Sequence, residues 1–231
     1  MAPSSLPELM DQPCSFEELR ACLKDLAWLN RLTGAYRPTL EWLDRLVKRL
    51  PQGFEPLRIV DVGCGYGDTL RRIAVWAADR RVPVRLVGLD LNADTVRIAR
   101  EATPPESTIE WIHGDAFAYP GEVDVVLSSL VTHHLEEGEI VAFLRWMEQR
   151  ARLGWFLNDL HRKETPYRLF GWMGRLLPLH RFVKHDGLVS IRRSFLEEDW
   201  QRMGLAAGLS MEQIAIQTAR PARLCVGRMK I

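Results

Sequence analysis

The chain has 231 residues, with Lys+Arg 31 against Asp+Glu 30 and a formal net charge of +1. That length suits one domain with additions, and the balanced charge gives no global argument for a nucleic-acid or membrane partner. Cys14, Cys22, Cys64 and Cys225 form no C-x-x-C pair and no zinc-type spacing, so reduced thiols in a cytoplasmic protein are expected rather than disulfides or structural zinc. The stretch Met1–Glu8 has neither a basic start nor an apolar core, and no apolar run approaches the roughly 20 residues of a membrane span.

In chain order, Ser15-Phe16-Glu17-Glu18 reads as a capping box opening a helix that carries Leu19, Leu23, Leu26 and Leu29 to about Leu32. Gly34 ends it. Pro38 sits where a second helix begins, with Leu40, Leu43, Val47 and Leu50 on one face before Pro51. Residues 1–52 are therefore expected to form an N-terminal helical extension, serving as a packed addition or a lid.

From Leu57 short β-rich runs alternate with helical patterns, the signature of a mostly parallel sheet with helices on both faces. Strands are expected at Leu57 to Val62, Val84 to Leu89, Ile109 to His113, Val123 to Ser128 and Gly154 to Leu157. Helices are expected over Thr69 to Ala78, Asn92 to Ala102 and Glu136 to Arg150. Ser194-Phe195-Leu196-Glu197 reads as a second capping box, for a helix ending near Gly208. Strands at Met211 to Gln217 and Arg223 to Gly227 are joined by five residues, too few for a parallel crossover, so they should form an antiparallel hairpin. The expected fold is thus α/β: a Rossmann-like, seven-stranded sheet, mostly parallel, with a C-terminal antiparallel hairpin, occupying residues 53–231.

The most specific passage is Asp61-Val62-Gly63-Cys64-Gly65-Tyr66-Gly67-Asp68, set between the first strand and a helix. Glycines there let backbone N–H groups approach a ligand at the positive end of the helix dipole. The dinucleotide fingerprint is G-x-G-x-x-G, resting a pyrophosphate on the helix terminus. Here the spacing is G-x-G-x-G, flanked by two carboxylates that repel a pyrophosphate and suit a ligand carrying an ammonium and a sulfonium, such as S-adenosylmethionine.

With Asp90 in Val87-Gly88-Leu89-Asp90-Leu91-Asn92, and Gly114-Asp115-Ala116-Phe117 after the third strand, the span from about Leu57 to Gly227 resembles the class I S-adenosylmethionine-dependent methyltransferases. The resemblance implies that Asp61, Gly63 and Gly65 hold the methionine part of the cofactor. It implies that Asp90 meets the ribose hydroxyls, as a carboxylate at a strand's carboxyl end can, with Leu91 packed on the adenine. Asp115, Ala116 and Phe117 are the candidates for the adenine edge. Cys64 and Ser128 join the expected cofactor-contacting set.

The fourth strand is followed by Ser128-Ser129-Leu130-Val131-Thr132-His133-His134-Leu135, on the side where ligands of doubly wound sheets lie. Methyl transfer needs alignment and, for a hydroxyl acceptor, a base, which a neutral imidazole supplies near pH 7. Adjacent histidines are expected to point apart. The resemblance implies that His133 faces the site and His134 packs at the next helix, while a reading in which both are structural stays open. Asn158, Asp159 and His161, at the end of the fifth strand, are further candidates, with a cap or an Arg162 ion pair as the alternative for Asp159. No metal site is expected: His-His shares no ligand-like spacing with nearby carboxylates.

The insertion at about 162–193 carries Tyr167, Phe170, Trp172, Met173, Leu176, Leu177 and Phe182 among Arg162, Lys163, Arg168, Arg175, Arg181 and Lys184. Four readings apply: a lid over a hydrophobic acceptor pocket, peripheral membrane contact, an RNA face, and plain packing. Its His185-Asp186 pair is expected not to bond internally. The runs Lys184-His185-Asp186-Gly187 and Ser190 to Phe195, with Trp28-Leu29-Asn30-Arg31, are similar to a bacterial small-molecule branch associated with phenolic or quinone-type polyketides. The function implied is methyl transfer to a hydrophobic small molecule, a phenol or quinol, by O- or C-methylation. The alternatives are an RNA methyltransferase, against which stand the balanced charge and the lack of an N/D-P-P-Y/F-type motif, and a non-catalytic S-adenosylmethionine-binding interaction protein.

Overall fold

The computed structural model of the chain describes residues 1–231 apart from Ala2, Ser4 and Ser5, three positions of the N-terminal stretch read above for a leader, which lie outside the described residues. The strands are β1 (Leu57–Val62), β2 (Val84–Asp90), β3 (Glu110–His113), β4 (Val123–Ser129), β5 (Ala151–Leu160), β6 (Ala215–Ala219) and β7 (Arg223–Met229). They form one sheet in the order β3-β2-β1-β4-β5-β7-β6. The first five pair in parallel, and β7 runs antiparallel to both β5 and β6. This is the Rossmann-like, seven-stranded sheet with its closing hairpin.

The order reverses between β1 and β4, so a crevice opens beyond their carboxyl ends. Side chains alternate across the sheet with period two. Val60, Val126, Trp155 and Leu157 face one core, shared with α5 (Glu137–Arg150) and α8 (Glu197–Ala206). Ile59, Val125, Leu127 and Phe156 face the other, against α2 (Arg37–Val47), α3 (Asp68–Arg80) and α4 (Ala93–Glu101).

The helix α1 (Phe16–Leu32) is capped as its sequence predicts, with Ser15 accepting from the Glu18 N–H and Glu18 from the Ser15 N–H. The insertion folds into α6 (Glu164–Leu176) and α7 (Arg181–Arg193). Cys22 and Leu29 of α1 share a small core with Leu179, Phe182 and Val183, which joins the N-terminal extension to the insertion.

Three elements depart from expectation. The segment Ser194 to Glu197 is not a capping box: Ser194 Oγ donates to the Ile191 carbonyl, closing α7, and α8 starts later, with the Leu196 N–H bonded to Asp199. Met211–Gln213 is a 3₁₀ turn, so β6 begins at Ala215. Strand β5 runs well past both expected ends, because its polar residues find partners inside: Asn158 donates to the Ala35 carbonyl and to Thr39, and Arg152 pairs with Asp124. No helix among the described residues is long and apolar enough to cross a membrane.

Candidate active site

The glycine loop is held at the end of β2 by the Gly63 and Cys64 N–H groups, which both donate to the Leu89 carbonyl. Gly63 and Gly67 have φ of +69° and +76°, and neither has room for a side chain. A Cβ on Gly63 would lie 2.3 Å from Val131, so the loop packs directly on the segment that leads into His133; one on Gly67 would lie 2.3 Å from the Trp111 ring.

Asp61 is 2% exposed and its Oδ1 has no hydrogen-bond partner among the described residues. Burial first, then the charges of Asp68 and Asp90, push its pKa well above the carboxylate range. Asp90 accepts from the Gly65 N–H at 3.1 Å and from the Asn92 N–H at 3.0 Å; burial raises its pKa too, against those two bonds. Leu91, at 74%, and Phe117, at 51%, are apolar side chains left in the open beside this groove. Asp115 caps the turn it begins by accepting from the Phe117 N–H, and Ala116 is buried. Ser128 Oγ donates to the Val62 carbonyl at 2.8 Å, pinning β4 to β1. The Cys64 thiol is buried, and burial drives its pKa up.

Tyr36, not singled out in the sequence, and Asn30, noted there only within the run Trp28 to Arg31, also converge here. Tyr36 donates to Asp68 at 2.6 Å and Asn30 donates to the same carboxylate at 3.3 Å, so the N-terminal extension grips the loop.

Beyond the loop lies a cavity of about 170 Å³ between α1, α6, α7 and the turn Thr132–His134. Its walls are apolar, with Cys22, Leu26, Leu29, Phe170, Met173 and Ile191; its polar end holds Glu8, Asn30, His133, His134 and Arg223. Trp172 is exposed and stands outside it. His161, the third catalytic candidate, is buried against Phe195 and Ala222 and is not one of the lining residues; burial lowers its pKa.

His133 is the centre of the polar end. Its Nδ1 lies 2.6 Å from Asp159 Oδ1, and Asp159 also accepts from Thr132 Oγ, the His133 N–H and the Leu160 N–H. Burial pushes the Asp159 pKa up, but His133 and these donors hold it well below the usual carboxylate range. The carboxylate accepts only, so Nδ1 carries the proton of that bond, and Nε2 faces Glu8 Oε1 at 3.6 Å. Asp159 thus pairs with His133 rather than capping or bridging to Arg162, which instead meets Asp199.

The expectation that the two histidines diverge does not hold. Their rings lie 4.4 Å apart, tilted by 36°, and both line the cavity from the turn Thr132–His134. His134 Nδ1 is 3.0 Å from Asp11, and Arg193 donates to the carbonyls of both histidines. Burial pulls the His134 pKa down, but Asp11, Glu8 and Asp159 outweigh it and raise it.

Asp186, inside the insertion, accepts from the Leu9 and Met10 N–H groups and also bonds His185 Nδ1 at 2.8 Å, the internal pairing not expected from sequence. Ser190 Oγ donates to Glu8. These contacts fix Glu8 at the cavity's polar end, a placement no local signal in the sequence carries.

A family model described as a methyltransferase domain matches residues 59–154, the span from β1 into β5 that carries the loop, Asp90 and the histidine turn. That span is a methyltransferase domain. Over 83 residues it is 41% identical to the 2-phytyl-1,4-naphtoquinone methyltransferase of Thermosynechococcus vestitus, covering 35% of this chain and 31% of that one. The methyltransferase fold extends over most of the chain: human N-acetylserotonin methyltransferase, solved with S-adenosylmethionine, aligns with a TM-score of 0.65 at 14% identity, over 94% of this chain and 56% of that one. The CMeT domain of citrinin polyketide synthase aligns with a TM-score of 0.60 at 17% identity, over 84% of this chain and 52% of that one. The chain spans about a third of the length of the first curated relatives it matches.

Proposed function

We propose that this methyltransferase domain transfers a methyl group from S-adenosylmethionine to the oxygen, or the activated ring carbon, of a hydrophobic phenol or quinol. The observation that carries the reading is the direct packing of the glycine loop, at Gly63, on the segment leading into the His133–Asp159 pair.

The loop's donor set fits the cofactor. Asp61, buried with an oxygen lacking a partner, suits the ammonium of the methionine part, and such a ligand would offset the cost of burying that carboxylate. Asp90 has acceptor capacity left for two ribose hydroxyls after its bonds to Gly65 and Asn92. Leu91 and Phe117 offer apolar faces of the kind that sandwich a purine. When bound, S-adenosylmethionine supplies an electrophilic methyl carbon on sulfonium.

The apolar walls of the cavity suit an aromatic acceptor. His133 Nε2 is the group assigned to take the phenolic proton, and Asp159 to stabilise the imidazolium that results. Loss of that proton activates the phenol's oxygen and its ortho and para carbons alike, so one base serves either outcome. The quinone-directed relative named above agrees with this acceptor class.

The test is turnover of methyl-labelled S-adenosylmethionine with a panel of alkylated phenols, resorcinols and quinols. A labelled phenolic product from the wild type, reduced about 10²–10⁴-fold in His133→Ala, is expected. Tight cofactor binding without transfer to any member of the panel would count against the proposal.

A further inference from the structure

We propose that Glu8, His133 and His134 form a two-histidine, one-carboxylate site for a divalent first-row cation of the zinc type, at the polar end of the acceptor cavity. One donor atom from each of the three lies within 4.8 Å of the other two. His133 Nε2 is 3.6 Å and His134 Nε2 3.8 Å from the Glu8 carboxylate oxygens. Donors on a tetrahedral ion with bonds of ~2.0–2.1 Å sit ~3.3 Å apart, so binding draws the Glu8 contacts in by a few tenths of an ångström and no pair of donors by more than ~1.5 Å.

The surroundings distinguish this cluster from a chance meeting of side chains. Each imidazole has its Nδ1 on a different carboxylate, His133 on Asp159 at 2.6 Å and His134 on Asp11 at 3.0 Å. That is the carboxylate–histidine arrangement which orients metal-binding imidazoles and raises their basicity, and it leaves both Nε2 lone pairs turned towards Glu8. Glu8 is in turn fixed by Ser190, and the backbone on its C-terminal side is fixed by Asp186. Three protein donors leave at least one coordination position, and the same three residues line the cavity. An oxygen anion, a phenolate or an enolate, is the ligand class such a position takes.

The inference rests on the proposed function only in treating the cavity as the acceptor's. An imidazole that holds an ion through Nε2 does not also accept a proton there, so the ion-loaded and ion-free proteins differ in which group handles the acceptor's acidic hydrogen.

The experiment is titration of the chelator-treated full chain with Co2+ alone, read by its visible ligand-field absorption, with neither cofactor nor acceptor present. Binding therefore succeeds or fails independently of methyl transfer. One Co2+ per chain is expected, with loss of the band in His134→Ala and in Glu8→Gln, which keeps the shape of the side chain and its bond to Ser190. Asp11→Asn, which weakens the support of His134 and the ion pair with Arg193 while leaving all three donors in place, should weaken binding about 10–100-fold. Absence of the band in the wild type, or a band that Glu8→Gln or Asp11→Asn leaves unchanged, would overturn the site.

Discussion

Asp61 is the residue whose behaviour most depends on what fills the groove. Burial holds its carboxyl protonated to a pH well above its ordinary value of 3.8. Between those two values the folded chain binds a proton that the unfolded chain has released, so this group makes stability fall as pH rises through the window. A cationic ligand reverses the preference, and S-adenosylmethionine should bind more tightly as pH rises through the same window. Thermal melts across pH, with and without the cofactor, should show opposite contributions from this group, and Asp61→Asn should flatten both. The placement of Asp61, Asp90 and the glycines was legible in the sequence because it follows from strand ends and spacing. The His133–Asp159 contact was not, since 26 residues and a whole helix separate its members and only the parallel pairing of β4 with β5 brings them together. Glu8 was illegible for a stronger reason: it is held near the histidines by its own bond to Ser190 and by the bonds of Leu9 and Met10 to Asp186, more than 170 positions away.

At the scale of elements, local signals succeeded where local chemistry decides. The Ser15–Glu18 box caps α1, and Asn92 caps α4 by accepting from the Asp94 and Thr95 N–H groups. They failed where a competing local bond or a tertiary partner decides. The Ser194 segment has the composition of a cap, yet its hydroxyl is taken by Ile191; β5 continues through Asn158 and Asp159 because the chain around it satisfies both. The loop and α3 meet at Gly67, where a left-handed backbone and the Trp111 ring both demand glycine. Gly67→Ala should therefore destabilise the protein by about 1–3 kcal/mol, read as a shift in the urea midpoint at unchanged slope. A midpoint equal to that of the wild type would mean that Trp111 yields without cost.

Over the whole molecule, sheet and cover divide the work. The sheet fixes the cofactor groove and the ends of β4 and β5. The N-terminal extension and the insertion, distant in sequence, share the core of Cys22, Leu29, Leu179, Phe182 and Val183 and enclose the cavity between them. Their apolar patterns were visible separately, whereas their meeting was not, because each helix alone reads as ordinary amphipathic packing. In the proposed function the cover selects a hydrophobic acceptor and the sheet presents base and cofactor to it. The most direct test is to compare Asp159→Asn with the wild type in two measurements on the same preparation: kcat for labelled methyl transfer to a phenol that the wild type accepts, and Kd for S-adenosylhomocysteine. The account predicts kcat lower by about 10²-fold or more, through loss of the imidazole's orientation, with Kd unchanged. An undiminished kcat, or a loss that appears only in Kd, would contradict it.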